Sequence, residues 1–360
     1  MIFPARPDLA ATCCEERGLD ATPERPFTGR MASMQHLIRK RGLAAVSFAV
    51  LLGVAVPLTP AAAQQTRDKV LSIVTEATKA AGAKSVKWES VSGGDAAFTV
   101  SNYEMTMEDE GKTGTFTAEG VTYTGAKPSA DGGFTADAIS ATEVEFESDE
   151  VTISADSLKI INYVGQSPEK IRAKTTTGER FDRLEATGLE ITDEKDKTVP
   201  IASVTLTTSD YAAGVPRKMS MEMKGLVAPL DPADPQTKDF FDLGYSKLTL
   251  DAAFTGAWDD KTGRVTIDQL SVSGAEIGGL KLGFVIGGVT QEVVDALKKA
   301  EKDQNKQMEI LQGLTVEQLS LRYEDASLAK RLISTQAKKQ GIPEQAFVQQ
   351  IGAIVPMMVS

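Results

Sequence analysis

One octapeptide recurs along the chain at nearly constant intervals, and this repeat limits the folds that are open to the sequence. Its two halves are apolar at alternating positions, and the intervals between copies are short and polar. A fixed short period indicates a structural unit that is laid side by side with its copies. The best copies are FTVSNYEM from Phe98, FTAEGVTY from Phe116, FTADAISA from Phe134 and ISADSLKI from Ile153, and looser ones begin at Leu184, Val265 and Leu314.

The two halves of each copy are out of phase. Phe116 and Ala118 would face one side of a regular strand, whereas Val121 and Tyr123 would face the other. A β-bulge at 119–120 would return all four side chains to one face and increase the local twist. The alternative is a pair of short strands joined by a tight turn. Both interpretations predict β-structure.

The segments between copies predict how the strands are connected. EDEGKTG (108–114), GAKPSADGG (125–133) and SDE (148–150) carry the Gly, Pro and Asp residues that are typical of turns. Strands of about a dozen residues that follow one another so closely must be antiparallel. We therefore expect an antiparallel meander from about residue 86 to 223, interrupted around 166–181.

The flanking segments predict helices and a second β region. Helices are expected at 66–82, from Asp234 as the N-cap of a short helix, and on the surface at 290–313. Asp325 is expected to cap a helix over 326–340, and a last helix begins at Pro343. DDKTG (259–263) predicts a hairpin turn.

The predicted fold class is mainly β with flanking helices (α+β), with the bulged meander forming a rolled sheet or groove. The predicted segments are an upstream extension from a misassigned start (1–30), a signal peptide (31–63), an N-terminal helix (64–84), the repeated β region (85–227), a Pro-rich connection (228–244), a second β region with a surface helix (245–325) and a helical cap (326–360).

Residues 39–63 are typical of a secretory signal peptide. A basic cluster at 39–41 precedes the apolar run GLAAVSFAVLLGVAVPL (42–58), and Ala61–Ala63 offer a cleavage site before Gln64. This order predicts export to the periplasm with no stable transmembrane anchor after cleavage. A retained anchor is the alternative, although the apolar run is shorter than the roughly 20 residues a spanning helix needs.

Cleavage at that site would remove all the cysteine and histidine. Cys13, Cys14 and His36 precede Gln64, so the exported chain would lack Cys-His and Ser-His nucleophiles and zinc sites built from these residues. The formal net charge of −11 disfavours nucleic acid as a partner. The sequence predicts no cofactor.

Carboxylates form the densest polar cluster, at Glu143, Glu145, Glu147, Asp149 and Glu150. Because Val144 and Phe146 alternate with the glutamates, we interpret the cluster as the solvated face of a strand rather than a calcium site. Paired carboxylates could in principle hydrolyse glycosides, but no motif marks an acid and a nucleophile. We therefore predict no catalytic residue and no metal ligand.

The apolar face of the meander is the remaining candidate site. Left open, it could hold acyl chains; alternatively, helices or a second sheet cover it as ordinary core. The predicted lining residues are Phe116, Ala118, Val121, Tyr123, Phe134, Ala136, Ile139, Ile153, Ala155, Leu158 and Ile160.

Three segments carry a family resemblance: FTAEGVTYTG, GYSKLTLDAAFTGAWDDKTGRVTIDQLSVSG and LSLRYEDASLAKRLISTQAKKQGIP. With the leader, they resemble exported proteins of Gram-negative bacteria and, more distantly, AsmA-like envelope proteins. The resemblance implies a β-groove linked to lipid homeostasis, although AsmA-like proteins keep a membrane anchor where this chain has a cleavable-looking signal. No functional residue transfers from it.

Three functional hypotheses follow from the sequence. The first is a non-enzymatic periplasmic protein that binds lipid or another envelope component through the apolar face of a bent sheet. The second is a structural or partner-binding envelope module whose core is fully covered. The third is a carboxylate-based hydrolase.

Overall fold

The computed structural model describes residues 65–359 except 110–111, 174–178, 196, 213, 236 and 301–302. The described residues fall within one compact unit, Val50–Ser360. The predicted upstream extension, signal peptide and cleavage site lie outside them.

Most of the described residues form β-strands, and the helices lie near the ends of the chain and in connections. The strands are β1 Ala83–Lys87, β2 Ser90–Gly94, β3 Ala97–Asp109, β4 Lys112–Thr124, β5 Lys127–Pro128, β6 Phe134–Ser148, β7 Val151–Gly165, β8 Arg183–Asp193, β9 Thr198–Ala212, β10 Val215–Pro229, β11 Lys247–Asp259, β12 Arg264–Gly274, β13 Gly278–Gly287 and β14 Thr315–Asp325. The helices are α1 Gln65–Ala80, α2 Pro168–Arg172, α3 Lys238–Asp242, α4 Gln291–Lys299, α5 Gln304–Gln312, α6 Leu328–Gln340 and α7 Glu344–Val359.

The fourteen strands form one open antiparallel sheet, as the short turns between the repeats predict. Its order is β1-β3-β4-β6-β7-β8-β9-β10-β11-β12-β13-β14, with β2 also paired to β3 and β5 to β6. The predicted fold class is therefore confirmed. The two β regions that the sequence separates at 228–244 lie in this single sheet, because β10 pairs directly with β11 across the connection.

The change of phase within each repeat is real, but its geometry differs from the prediction. Phe116, Ala118, Val121 and Tyr123 lie in one strand and are all 2 % exposed or less, so they share a face. The alternative of two short strands is therefore wrong.

The predicted one-residue bulge at 119–120 is also wrong, because β4 keeps an unbroken register with both neighbours. The neighbouring strands have matching irregularities instead. Asn102 of β3 has a φ of 49° and Glu143 of β6 a φ of 47°, and each lies level with Glu119 of β4. The left-handed conformation recurs at this level in Gly188 of β8. From β3 to β8 the strands therefore bend at one level without losing register, whereas each strand pair from β10–β11 to β13–β14 contains a register shift.

Two predicted helices begin or divide differently in the structure. The helix expected from Asp234 begins after Thr237, because Asp234 accepts backbone hydrogen bonds from Thr237 and Lys238 in a turn. The single helix expected over 290–313 is two helices, α4 and α5. They separate where Asp303 accepts a hydrogen bond from the Lys306 N–H and so caps a new helix.

Helix α6 begins two residues later than the predicted N-cap at Asp325 would place it. Ser327 occupies the N-cap position of α6, while the Asp325 carboxylate accepts a hydrogen bond of 2.9 Å from the Ala329 N–H. Gly341 ends α6 with a φ of 67°, a conformation that glycine adopts without strain. The predicted helix is therefore confirmed, but the predicted N-cap at Asp325 is wrong by two residues.

The densest core lies where α1 meets the first strands. The helix packs against β1, β5, β6 and α2. It buries Val70, Leu71 and Val74, each 3 % exposed or less. On the sheet, Phe98 stacks on Tyr123 with ring centroids 4.8 Å apart. This end of the sheet is a conventional hydrophobic core.

Candidate binding face

Two rows of apolar side chains cross the sheet, with one residue from each of eleven strands. The members of each row lie on one face of the sheet, because each member is paired directly with the next. The first row is Phe98, Tyr123, Ile139, Ile160, Leu184, Leu206, Met221, Phe254, Leu270, Leu282 and Leu321. The second row is Val100, Val121, Ala141, Leu158, Ala186, Val204, Met223, Ala252, Val272, Leu280 and Tyr323.

The exposure of the first row rises along the sheet. Phe98 and Ile160 are buried, and Leu184 and Leu206 are half-buried. Farther along, Met221 and Leu270 are 38 % and 43 % exposed with half-buried residues between and beyond them, and Leu321 is 68 % exposed. The second row follows the same trend, from Val100 at 1 % to Tyr323 at 47 %. One apolar surface therefore begins as covered core and ends in contact with solvent.

The structure places most of the predicted lining residues in the covered part. Three are half-buried: Ile153, Ala155 and Leu158. The other eight are at most 5 % exposed: Phe116, Ala118, Val121, Tyr123, Phe134, Ala136, Ile139 and Ile160. The predicted lining is thus the covered end of the face, and the open end lies farther along the chain.

The open end is formed by strands whose contribution the sequence prediction omitted. Met221, Leu270, Val272, Leu280 and Leu321 are each at least 38 % exposed. The signal was present in the looser copies of the octapeptide. Positions 6 and 8 of the copy from Val265 are Leu270 and Val272, and those of the copy from Leu314 include Leu321.

A hydrogen bond between buried Tyr163 and half-buried Glu179 lies at the boundary of the covered part. The Tyr163 hydroxyl donates a hydrogen bond of 2.8 Å to Glu179 Oε1. Burial raises the pKa of the Glu179 carboxyl, and the hydrogen bond from Tyr163 opposes this only in part. Burial and the neighbouring carboxylate raise the pKa of Tyr163 well above its ordinary value. A neutral Glu179 is the form that this environment favours.

The opposite face of the sheet carries the charged side chains. Glu143, Glu145 and Glu147 are exposed on β6 and Val144 is buried between them, so they form the solvated face of the strand as predicted. Within the described ranges, Asp, Glu, His and Cys do not form a group of three or more that could hold a metal ion. The helices in those ranges include none with both the length and the apolarity needed to cross a membrane.

The C-terminal helices are attached at one end of the strands. The Arg331 guanidinium of α6 donates hydrogen bonds to the carbonyl oxygens of Leu243 (3.2 Å) and Gly244 (2.8 Å). Its carbon atom Cζ lies 4.1 Å from the centre of the Tyr245 ring. These contacts hold α6 at the loop before β11, and they leave both faces of β14 exposed.

Residues 271–360, a quarter of the chain, match the model of a family that is described as an uncharacterised protein. The match includes β13, β14 and helices α4 to α7. No curated protein and no solved structure matches the chain.

Proposed function

We propose that this protein binds lipid acyl chains on the open part of its apolar face, between β8 and β14. The observation that carries the proposal is the rise in exposure along a single apolar surface, from Phe98 at 1 % to Leu321 at 68 %. Large contiguous apolar patches are uncommon on soluble monomers and mark sites that bind other apolar surfaces.

The dimensions of the open face suit an acyl chain. Neighbouring strands are about 4.8 Å apart, so the six intervals from β8 to β14 span roughly 29 Å along the sheet. The hydrocarbon core of a bilayer is about 30 Å thick and contains two leaflets, so one acyl chain occupies about half that length. The open face therefore offers room for about two acyl chains placed end to end.

The predicted signal peptide at 31–63 would place this lipid binding in the periplasm. A periplasmic protein works beside two membranes and has constant access to lipid. The acidic surface, with a formal net charge of −11 for the whole chain, disfavours adsorption to anionic headgroups. Binding would therefore depend on the apolar face and not on charge.

Lipid extraction from the purified protein tests the proposal. The protein is isolated from its own cell envelope under mild conditions, and its mass is measured in the native state and after denaturation. The expected result is a lipid that copurifies with the wild-type chain and is lost from Leu270→Asp, which places a charge at the open end of the first row. A wild-type protein that carries no lipid and takes none up from vesicles would contradict the proposal.

The control places the same charge on the other face of the same strand. Ser271 lies on β12 between Leu270 and Val272, and its direct partners are Ala253 and Lys281, so Ser271→Asp opposes no like charge and should retain the lipid. Val121 is unsuitable as a test position because it is fully buried. A carboxylate there would disturb folding whether or not the protein binds lipid.

A structural or partner-binding module is the second candidate. The burial of eight of the eleven predicted lining residues favours it, since that half of the face is already ordinary core. The same experiment separates the two functions, because a module of this kind would carry no lipid and would behave identically after Leu270→Asp and Ser271→Asp.

A further inference from the structure

The two edges of the sheet are built differently. At the first edge, β1 and β2 are only five residues long and lie end to end on β3. The register of β1 shifts between Ala83 and Ser85, and Lys87 pairs with Glu104 of β3 at 3.0 Å. Short strands, irregular register and lysines are the devices by which proteins prevent another strand from adding to an edge.

The second edge is longer and more regular: its register with β13 is unbroken from Gln318 to Asp325, and the one shift falls at 316–318. β14 is eleven residues long, contains neither Pro nor Lys, and is exposed throughout. In the part of the chain that the structure describes, no strand pairs with its outer edge. Val316, Leu319 and Leu321 are each at least 65 % exposed.

The chemistry of this edge requires a strand as its partner. The outer edge of a strand presents backbone N–H and C=O groups, which an added β-strand satisfies and a hydrocarbon chain does not. The partner strand must also be apolar on the side that continues the face containing Leu319 and Leu321.

β14 itself meets these requirements when it is paired antiparallel with a second copy. Pairing centred on Ser320 brings the regular part of each strand together, with the register shift at 316–318 near either end, and places Leu319 opposite Leu321 of the other copy. Arg322 then lies opposite Gln318, and Glu324 lies opposite Val316, so no like charges are directly opposed. Moving the centre to Leu321 would oppose Glu317 to Asp325, and centring on Arg322 would oppose two arginines; like charges directly opposite destabilise a strand pair.

We propose that two copies of this chain pair through β14, antiparallel and centred on Ser320, to form one continuous sheet across a two-fold axis. The partner for this surface is therefore a second copy of the chain. The first apolar row would pass from Leu282 and Leu321 into the row of the other copy, so the two open faces would join. This inference does not depend on lipid binding, because the pairing is carried by the strand edges.

A single cysteine at the proposed axis tests the register. The background is the complete chain with Cys13→Ser and Cys14→Ser, which removes the only native cysteines. Directly opposed residues in antiparallel strands have Cβ atoms about 4.5–5.5 Å apart, close to the roughly 3.5–4.5 Å of a disulfide. Ser320→Cys should therefore form a disulfide-linked dimer on mild oxidation. The matched control, Ser273→Cys, is exposed on the inner strand β12 and should remain monomeric on a denaturing gel.

Light scattering after gel filtration tests the pairing without a cross-link. The wild-type chain should have the mass of a dimer, and Leu321→Lys should raise the dimer dissociation constant by at least about tenfold, since each interface loses two apolar contacts and gains two charges. Leu321 is largely exposed, so the variant should keep the wild-type circular dichroism spectrum.

The outcomes separate this inference from the proposed function. A wild-type chain that stays monomeric at 100 μM, or a dimer that survives Leu321→Lys and does not cross-link through Ser320→Cys, overturns the β14 pairing. Copurifying lipid on a monomer would overturn the pairing and leave the proposed function standing. A cross-linked dimer free of lipid would support the β14 pairing and contradict the proposed function.

Discussion

Substitutions along the first apolar row should have costs that follow the exposure of each residue. Ile139 and Leu321 belong to the same row, but Ile139 is 4 % exposed and Leu321 is 68 % exposed. Replacing a buried Ile or Leu by Ala removes transfer free energy and leaves a cavity, at a cost of about 2–5 kcal/mol. We therefore expect Ile139→Ala to lower the free energy of unfolding by about 3 kcal/mol.

The expected cost at Leu321 is much smaller. Complete burial of a leucine side chain contributes about 1.5–3 kcal/mol, and only about a third of Leu321 is removed from water in one copy of the chain, so Leu321→Ala should cost less than ~1 kcal/mol. Urea unfolding followed by circular dichroism, at concentrations below any dimerisation, measures both values. The comparison is valid if the dependence on urea has the same slope in both variants. Equal costs at the two positions would refute the inference that this face is covered at one end and open at the other.

Three further predictions concern the bend, the half-buried Glu179 carboxylate and the attachment of α6. Gly188→Ala should lower the free energy of unfolding by ~1–2 kcal/mol in a thermal or urea titration, because φ is 61° and a Cβ there would overlap the Asp156 carboxylate. Burial raises the pKa of Glu179, so the folded chain keeps this proton to higher pH than the unfolded chain does. The free energy of unfolding should therefore fall as pH rises from the ordinary carboxyl range, near about 4.3, through the raised value, and Glu179→Gln should remove this slope. Arg331→Lys should cost ~1–2 kcal/mol and increase hydrogen exchange in α6. Arg331 donates from Nη1 to the Leu243 and Gly244 carbonyl groups and from Nε to Ser327 Oγ, and lysine has only one nitrogen with which to replace them.

Matched variants separate these causes from general effects of substitution. Gly94→Ala adds a methyl group where nothing lies within 4 Å and φ is not positive, so it should be nearly neutral. Lys330→Ala removes a neighbouring exposed charge from α6 and should leave its hydrogen exchange unchanged. A Gly188→Ala variant as stable as Gly94→Ala, an unchanged pH slope in Glu179→Gln, or equal exchange in Arg331→Lys and Lys330→Ala would each contradict the corresponding prediction.

The sheet could be predicted from sequence because each strand carries its own evidence. The period of two within FTAEGVTY and the polar turns around it indicate antiparallel strands without reference to anything distant in the chain. The bend was harder to predict from the sequence, because its geometry depends on three strands at once. The phase change in β4 is compatible with a bulge, and only the matching conformations of Asn102 and Glu143 on either side show that the register is preserved.

The candidate site could be predicted in kind but not in position. The repeat indicates which residues share the apolar face, but whether Val121 or Leu270 is covered depends on where α1 packs, and the sequence of a strand does not contain that information. The predictions of where two helices begin were wrong for a related reason. Asp234 and Asp303 are equally good capping residues, and the hydrogen bonds available in the fold select Asp303 as a cap and place Asp234 in a turn.

The length of α1 limits how much of this face the helix can cover. Its 16 residues are about 24 Å long at about 1.5 Å per residue, which corresponds to roughly five strand intervals of about 4.8 Å. The apolar rows cross ten such intervals, from β3 to β14. Even if α1 lay directly across the strands, about half of each row would need another cover, and the exposure of Leu270, Leu280 and Leu321 is greatest at the end farthest from this helix along the sheet. The apolar repeat thus continues over about twice the distance that α1 can cover. The uncovered surface suits an apolar ligand, which the lipid experiment tests, or another sheet, which the cross-linking experiment tests.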